Sequence, residues 1–264
     1  RIAAIMWGPL VLAGDLGPRR ERGRGGAGGP AATPAPIPML VAAERPPAGW
    51  IAPVPARAGD FSVQQVARSD AAPATPADVS LTPFYRTHRR TYSVYFDLFT
   101  PAEWEKRAAE IAAERERVRK LDAATVAFVQ PGAAQAEKDV NYQSDPPDRP
   151  APRAGGRASR SGTGWFSYDL PVDATTAMAV VVTYQAPQGQ PAPQGQSFEI
   201  LVDGTSIARF AADPNAEGSY DVQYAVPAGL VRGKTKVTVK FLAAAGGRIA
   251  PVFGVRMVKT DLVR

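Results

Sequence analysis

Few residues in this chain have side chains that could carry chemistry. The 264 residues include one histidine, His88, and no cysteine. A thiolate nucleophile, a disulfide framework and a cysteine-ligated metal are therefore excluded, as is an HExxH zinc site, which needs two histidines. Carboxylates of the kind used in glycoside hydrolysis are present, among them Asp97, Glu103, Asp139, Asp169, Glu199 and Asp221. That chemistry needs two carboxyl groups facing each other across a cleft, and no spacing pairs any two of them. Asp145 and Asp148 sit among prolines in DPPDRP, and Asp203 belongs to an Asp-Gly turn.

Two glycine patterns also fail. Gly23, Gly25 and Gly28 match G-x-G-x-x-G, but Pro30, Pro34 and Pro36 follow where a phosphate-binding helix would have to begin. The segment GLVRGKT from Gly229 to Thr235 is one residue short of a phosphate loop, with Ala228 in place of the first glycine. The alternating KTKVTVKFLA after it reads as a strand, so the segment is a turn between strands.

What remains is aromatic. FYRTHRR holds Tyr85 and His88, and GWFSYDL holds Trp165, Phe166 and Tyr168. An exposed ring stacks on a sugar face, whereas a buried one is core. Alternation places Trp165, Ser167 and Asp169 on one face of a strand and Phe166, Tyr168 and Leu170 on the other. The second set is the more apolar, so Phe166 and Tyr168 should point inward and Trp165 outward. Tyr85, His88 and Trp165 are the candidate residues for carbohydrate or interdomain contact. No catalytic or metal-ligating residue and no cofactor is expected in this chain.

The net charge of +6 and pI near 9.7 raise the question of nucleic acid. The excess is local, +3 in residues 19–24, +3 in 84–90 and +4 in 149–160. Two of these stretches are Gly/Pro-rich and lack the interleaved aromatics that stack bases, so they read as solvated arginine-rich loops.

The elements that would carry the aromatics are mostly strands. Residues 2–13 read as a buried strand with a Gly-Pro break, 17–38 as a Gly/Pro-rich loop, and 39–43 and 61–67 as strands. An Ala/Pro connector spans 71–77. Tyr92, Val94, Phe96 and Leu98 alternate with Thr91, Ser93, Tyr95 and Asp97 in a single strand. Thr100-Pro101-Ala102-Glu103 opens a helix with a capping box, and Trp104, Ala108, Ile111, Ala112, Val118 and Leu121 form its apolar stripe against a sheet.

From residue 124 short alternating segments recur: 125–130, 164–170, 178–185, 197–204, 205–211, 220–227, 234–243 and 252–259. Strands this close together mean a β-sandwich or jelly roll. The fold class is mainly β, two jelly-roll-like β-sandwich domains with one amphipathic surface helix at about 101–121. The division is expected at 1–121, a truncated sandwich of about four strands, and 122–264, a C-terminal sandwich. The 45% hydrophobic content overstates the core, because 47 residues are alanine. No apolar run reaches the ~18 residues of a membrane span. The chain starts at Arg1 and reads as the tail of a longer protein.

In order, AIMWGPLVLAGDLG, PFYRTHRRTYSVYFDLFTPAEW, GWFSYDL, FEILVDG, YAVPAGLV, KVTVKF and VFGVR resemble the C-terminal half of bacterial glycoside hydrolases of family 127, the β-L-arabinofuranosidase-like group. The resemblance covers nearly all of residues 2–260 except the 17–38 connector, and 84–104 and 164–170 carry it most specifically. It implies a catalytic (α/α)6 barrel upstream, with the present chain as an accessory β-sandwich region that packs on that barrel and contacts a plant-type glycan. The alternative is an independent carbohydrate-binding module. The resemblance also implies a zinc-bound cysteine nucleophile and a glutamate acid/base in the missing barrel, none of which transfers to this cysteine-free chain. Secretion or a periplasmic location is implied on the same basis alone.

Overall fold

The structure, a computed structural model, describes residues 1–18, 36–146, 151–154, 157–186, 195–213 and 215–260. Gly23, Gly25, Gly28, the basic stretch 19–24, Asp148, Arg149 and most of the 17–38 loop lie outside the described residues. The protein is mainly β and of the β-sandwich type. It divides into two compact units, Arg1–Glu116 and Arg117–Arg264, with the division inside the long helix. Among the described residues no helix is long and apolar enough to cross a membrane.

The first unit contains β1 (Ile2–Ala3), β2 (Ile5–Trp7), β3 (Leu10–Pro18), β4 (Met39–Val41), β5 (Ile51–Pro53), β6 (Phe61–Ser69), β7 (Ala72–Pro83), β8 (Arg90–Ser93) and β9 (Phe96–Phe99). They form one sheet in the order β1-β9-β4-β6-β7-β3-β2, with β5 added to β6 and β8 to β3. Leu12, Leu40, Val63, Val66, Leu81 and Phe96 fill its core.

Several sequence expectations change here. Residues 2–13 are a hairpin rather than one buried strand: Gly8, at φ 57°, takes the left-handed conformation that lets Trp7 pair with Leu10. Ile2, Met6 and Trp7 are exposed. The expected Ala/Pro connector at 71–77 is instead, from Ala72 on, part of β7. Pro73 and Pro76 are accommodated because that half of β7 pairs with β6 alone, so a missing N–H on the other side costs no ladder bond.

The aromatic strand at 91–98 breaks in two at Val94-Tyr95, where the Ser93 hydroxyl donates to the Tyr95 carbonyl at 2.6 Å. The break resets the alternation, so Ser93 and Phe96 are both buried while Tyr92 and Tyr95 are exposed. Strict period-two facing held only up to the break.

The helix α1 runs Pro101–Ala124, three residues beyond its expected end. Its capping box is formed in both directions: Thr100 N–H donates to Glu103 Oε2 at 2.7 Å, and Glu103 N–H to Thr100 Oγ1 at 3.2 Å. The expected continuous apolar stripe is interrupted. Trp104 is buried in the first unit, and Leu121 and Ala124 are buried in the second with Ala179, Val181 and Val258. Ala112 and Val118 between them are exposed.

The second unit contains β10 (Thr125–Val129), α2 (Ala134–Asp139), β11 (Gln143–Asp145), β12 (Ala151–Ala154), β13 (Arg157–Gly162), β14 (Trp165–Pro171), β15 (Met178–Gln185), β16 (Phe198–Val202), β17 (Thr205–Arg209), β18 (Ser219–Val226), α3 (Ala228–Val231), β19 (Lys236–Ala243), β20 (Ile249–Val252) and β21 (Gly254–Lys259). Three sheets result, β10-β21-β15-β18, β11-β14-β19-β16-β17 and β12-β13-β20.

Phe166, Tyr168, Leu170, Val180, Phe198 and Phe241 meet in one core. Asp203 and Gly204 both have positive φ, 48° and 82°, as the type I′ turn between β16 and β17 requires. GLVRGKT is the single turn α3 followed by β19, so nothing there opens a phosphate-binding helix.

Candidate functional site

The expected site residues fall in different units. Tyr85 and His88 lie in the first, on and just after the 3-10 turn Phe84–Arg86, and both are exposed. That turn closes because Pro83 ends β7, and the Thr87 hydroxyl donates back to the Phe84 carbonyl at 2.6 Å. The Arg86 guanidinium lies over the Tyr85 ring, 5.4 Å from its centroid, and donates to the Ala58 carbonyl at 3.1 Å. Phe84 meets Tyr92 edge to face at 5.4 Å. Arg90 is held by Asp15 at 2.6 Å, and that contact keeps the Asp15 carboxyl below its usual range.

Trp7 was not singled out by sequence, since it read as part of a buried strand. Its ring stands against Phe61 at 5.6 Å and 65° and lies over Gly59, where a Cβ would come within 2.9 Å of it. It borders a cavity of about 640 Å³ walled by the loop from Pro53 to Phe61.

Trp165 lies in the second unit, on the outer face of β14 as alternation predicts. It is half-buried, and the Lys240 ammonium sits over its ring 3.8 Å from the centroid. A sugar stacking on that face would have to displace the lysine. Beside it is a cavity of about 110 Å³ bordered by Asp145, Gly162, Thr163 and Ile249. Trp165→Ala is expected to cost about 1 kcal/mol or less in denaturant melts, the scale of a surface change plus an exposed cation–π contact.

Further along the same face Asp169 accepts from Thr238 Oγ1 at 2.7 Å, Asn141 Nδ2 at 3.1 Å and Lys236 Nζ at 3.3 Å. Partial burial opposes its charge, but these donors prevail and hold the carboxyl below its usual range. A depressed native pKa contributes stability above the unfolded carboxyl value, about 4, that is lost as pH falls through the native one. Asp169→Asn should therefore lose less melting temperature than wild type on acidification from pH about 5 to about 2. Parallel acid-side curves for the two proteins would dismiss a stabilising role for the network.

The most highly organised polar cluster was missed by sequence. Arg160, counted there in a solvated basic stretch, is buried. It pairs with buried Glu137 through two hydrogen bonds, Nε to Oε1 at 2.9 Å and Nη2 to Oε2 at 2.7 Å. Glu137 Oε1 also accepts from the Gly132 N–H at 2.8 Å and the Tyr168 hydroxyl at 3.2 Å. Burial, with the neighbouring carboxylate, pushes the Tyr168 phenol up. The Arg160 guanidinium lies 4.4 Å from the Tyr142 ring centroid.

No spacing rule could have joined α2 to β13 and β14. This cluster joins three elements inside the sandwich, and its role is structural. Among the described residues no group of three or more His, Asp or Glu side chains could hold a metal ion.

Fold and sites together define a β-sandwich protein that presents aromatic, arginine and carboxylate side chains on sheet faces and loop ends. The chain belongs to a family of unknown function, DUF6805, whose sequence model matches residues 120–258. No curated protein matches it. Among solved structures it is similar to the ANX1 ectodomain from Arabidopsis thaliana, at 10% identity and TM-score 0.36 over 50% of this chain and 40% of that one. It is also similar to the ANXUR2 extracellular domain from the same plant, at 14% identity and TM-score 0.32 over 52% of this chain and 34% of that one. A family 35 carbohydrate binding module from Clostridium thermocellum matches at 9% identity and TM-score 0.32, over 51% of this chain and all of that one. The chain thus spans well under half the length of the two plant proteins.

Proposed function

We propose that this chain is an accessory β-sandwich region of a bacterial glycoside hydrolase of the β-L-arabinofuranosidase-like kind, packing on a catalytic (α/α)6 barrel and contacting glycan. The ordered motifs that resemble family 127 support the hydrolase context. The observation that carries the packing role is where large apolar side chains remain exposed. Ile2, Met6, Phe84, Tyr85, Tyr92 and Tyr95 all lie on the first unit, while among the described residues the large exposed hydrophobics of the second are Val118 and Phe128. Phe84 and Tyr92 are in ring contact, and exposed apolar groups that adjoin one another are what a contact surface presents. Tyr85 and Tyr95, each 64% exposed, are its most exposed aromatic side chains.

The test uses the full chain and the barrel encoded with it, produced separately. The two should co-elute on size exclusion, and Tyr85→Ser with Tyr95→Ser should weaken the complex by about 2 kcal/mol or more, as loss of interface anchors does. The chain alone, lacking cysteine, should not turn over arabinofuranosides with or without zinc. Absence of a barrel from the coding sequence, or zinc-dependent turnover by the pure chain, would sink this reading. A second reading, an independent carbohydrate-binding module, is favoured by the Trp165 cavity and requires Trp165→Ala to abolish glycan binding.

A further inference from the structure

We propose that the groove beneath Trp7 is a binding site for an acidic oligosaccharide, a glycan segment carrying uronic acid. The inference rests on the glycan-contact reading above and adds to it a site and a ligand class. The groove is walled by the loop that joins β5 to β6. Three backbone bonds fix that loop: Val54 N–H to the Asp60 carbonyl at 2.9 Å, Arg57 N–H to Val54 at 3.2 Å and Asp60 N–H to Arg57 at 3.0 Å. Ala56 holds φ 61° within it, a conformation that non-glycine residues adopt only when their surroundings impose it. The loop is therefore set before any ligand arrives, which reduces the ordering cost of binding.

The side chains supply three complementary groups. Trp7 is 46% exposed although one side of its ring rests on Gly59 and its neighbour Phe61 braces it. A braced ring with a free side is a platform for the C–H face of a sugar. Asp60 accepts from the Thr82 hydroxyl at 2.9 Å and lies 3.5 Å from Arg86, so its orientation is fixed and its charge is offset. Arg57 lines the same groove, is exposed, and has no acidic partner among the described residues. The unmatched charge at the groove is thus a guanidinium, whose planar fork suits a carboxylate. The volume of about 640 Å³ lies within the range of ligand pockets.

Calorimetric titration of the full chain with trigalacturonate and with neutral arabinotriose tests the site. Wild type should bind the acidic trimer about tenfold more tightly, the equivalent of one charge-assisted contact. Arg57→Ala, at an exposed position that leaves the melt unchanged, should bring the two affinities within about a factor of two. Trp7→Ala should weaken both by about tenfold or more, while Val118→Ala, at an exposed position outside the groove lining, changes neither. Should Arg57→Ala and Trp7→Ala bind both trimers as wild type does, the groove is overturned and glycan contact lies elsewhere on the chain. If wild type binds neither trimer, the groove and the glycan-contact reading fall together.

Discussion

Phe166→Ala is expected to destabilise the second unit by about 3–5 kcal/mol, measured as the shift in its denaturant transition in the full chain. Phe166 is 1% exposed and stacks on Phe241 at 4.9 Å and 27°, with Tyr168 edge-on at 5.8 Å. Truncation to alanine removes the ring and leaves a void between β14 and β19, whose register holds Phe166 opposite Phe241. Close packing prevents the neighbours from collapsing fully into that void. Trp165, one residue earlier, should cost about 1 kcal/mol or less, because it leaves the core intact. The contrast between the two is the measurement. A tolerated Phe166→Ala beside an unfolded Trp165→Ala would invert the facing of β14.

That contrast was legible in the sequence because β14 lies mid-sheet and its large apolar side chains Phe166, Tyr168 and Leu170 alternate into the core, although Ser167 on the other face is buried as well. The expected positions of β15, β16, β19 and β21 agree with the structure to within about two residues; β16 and β19 alternate as expected, whereas β15 and much of β21 are buried on both faces. Legibility failed where local geometry breaks the period. At Val94-Tyr95 one irregular step reversed the facing of Tyr95 and Phe96. At Gly8-Pro9 a turn inside an apolar run hid Trp7 at the mouth of a groove. Pro73 and Pro76 argued against a strand that tolerates them because one side of it carries no ladder there. The groove and the Arg160 cluster depend on contacts between segments distant in sequence, and no periodicity encodes such contacts.

Glu137→Ala is expected to destabilise the second unit by about 3–5 kcal/mol, the cost of stripping one partner from a buried ion pair. Glu137 is 3% exposed and Arg160 5%, so the guanidinium left behind would have little access to water. The substitution also removes the acceptor of the Gly132 N–H and the Tyr168 hydroxyl. Arg160→Met should cost a comparable amount by leaving the carboxylate unpaired. Glu137→Met with Arg160→Met should cost clearly less than either single change, since two apolar groups of similar volume need no desolvated charge. The double-mutant cycle in denaturant melts should therefore give a coupling of about 2 kcal/mol or more. Additive single effects would mean that the two charges are solvated in solution and that α2 is held to β13 by its apolar contacts alone. A large coupling would identify the pair as what fixes α2 on the sandwich. The arginine would then belong to the core, and the basic stretch at 149–160 would contribute one charge fewer to the surface than its sequence suggests.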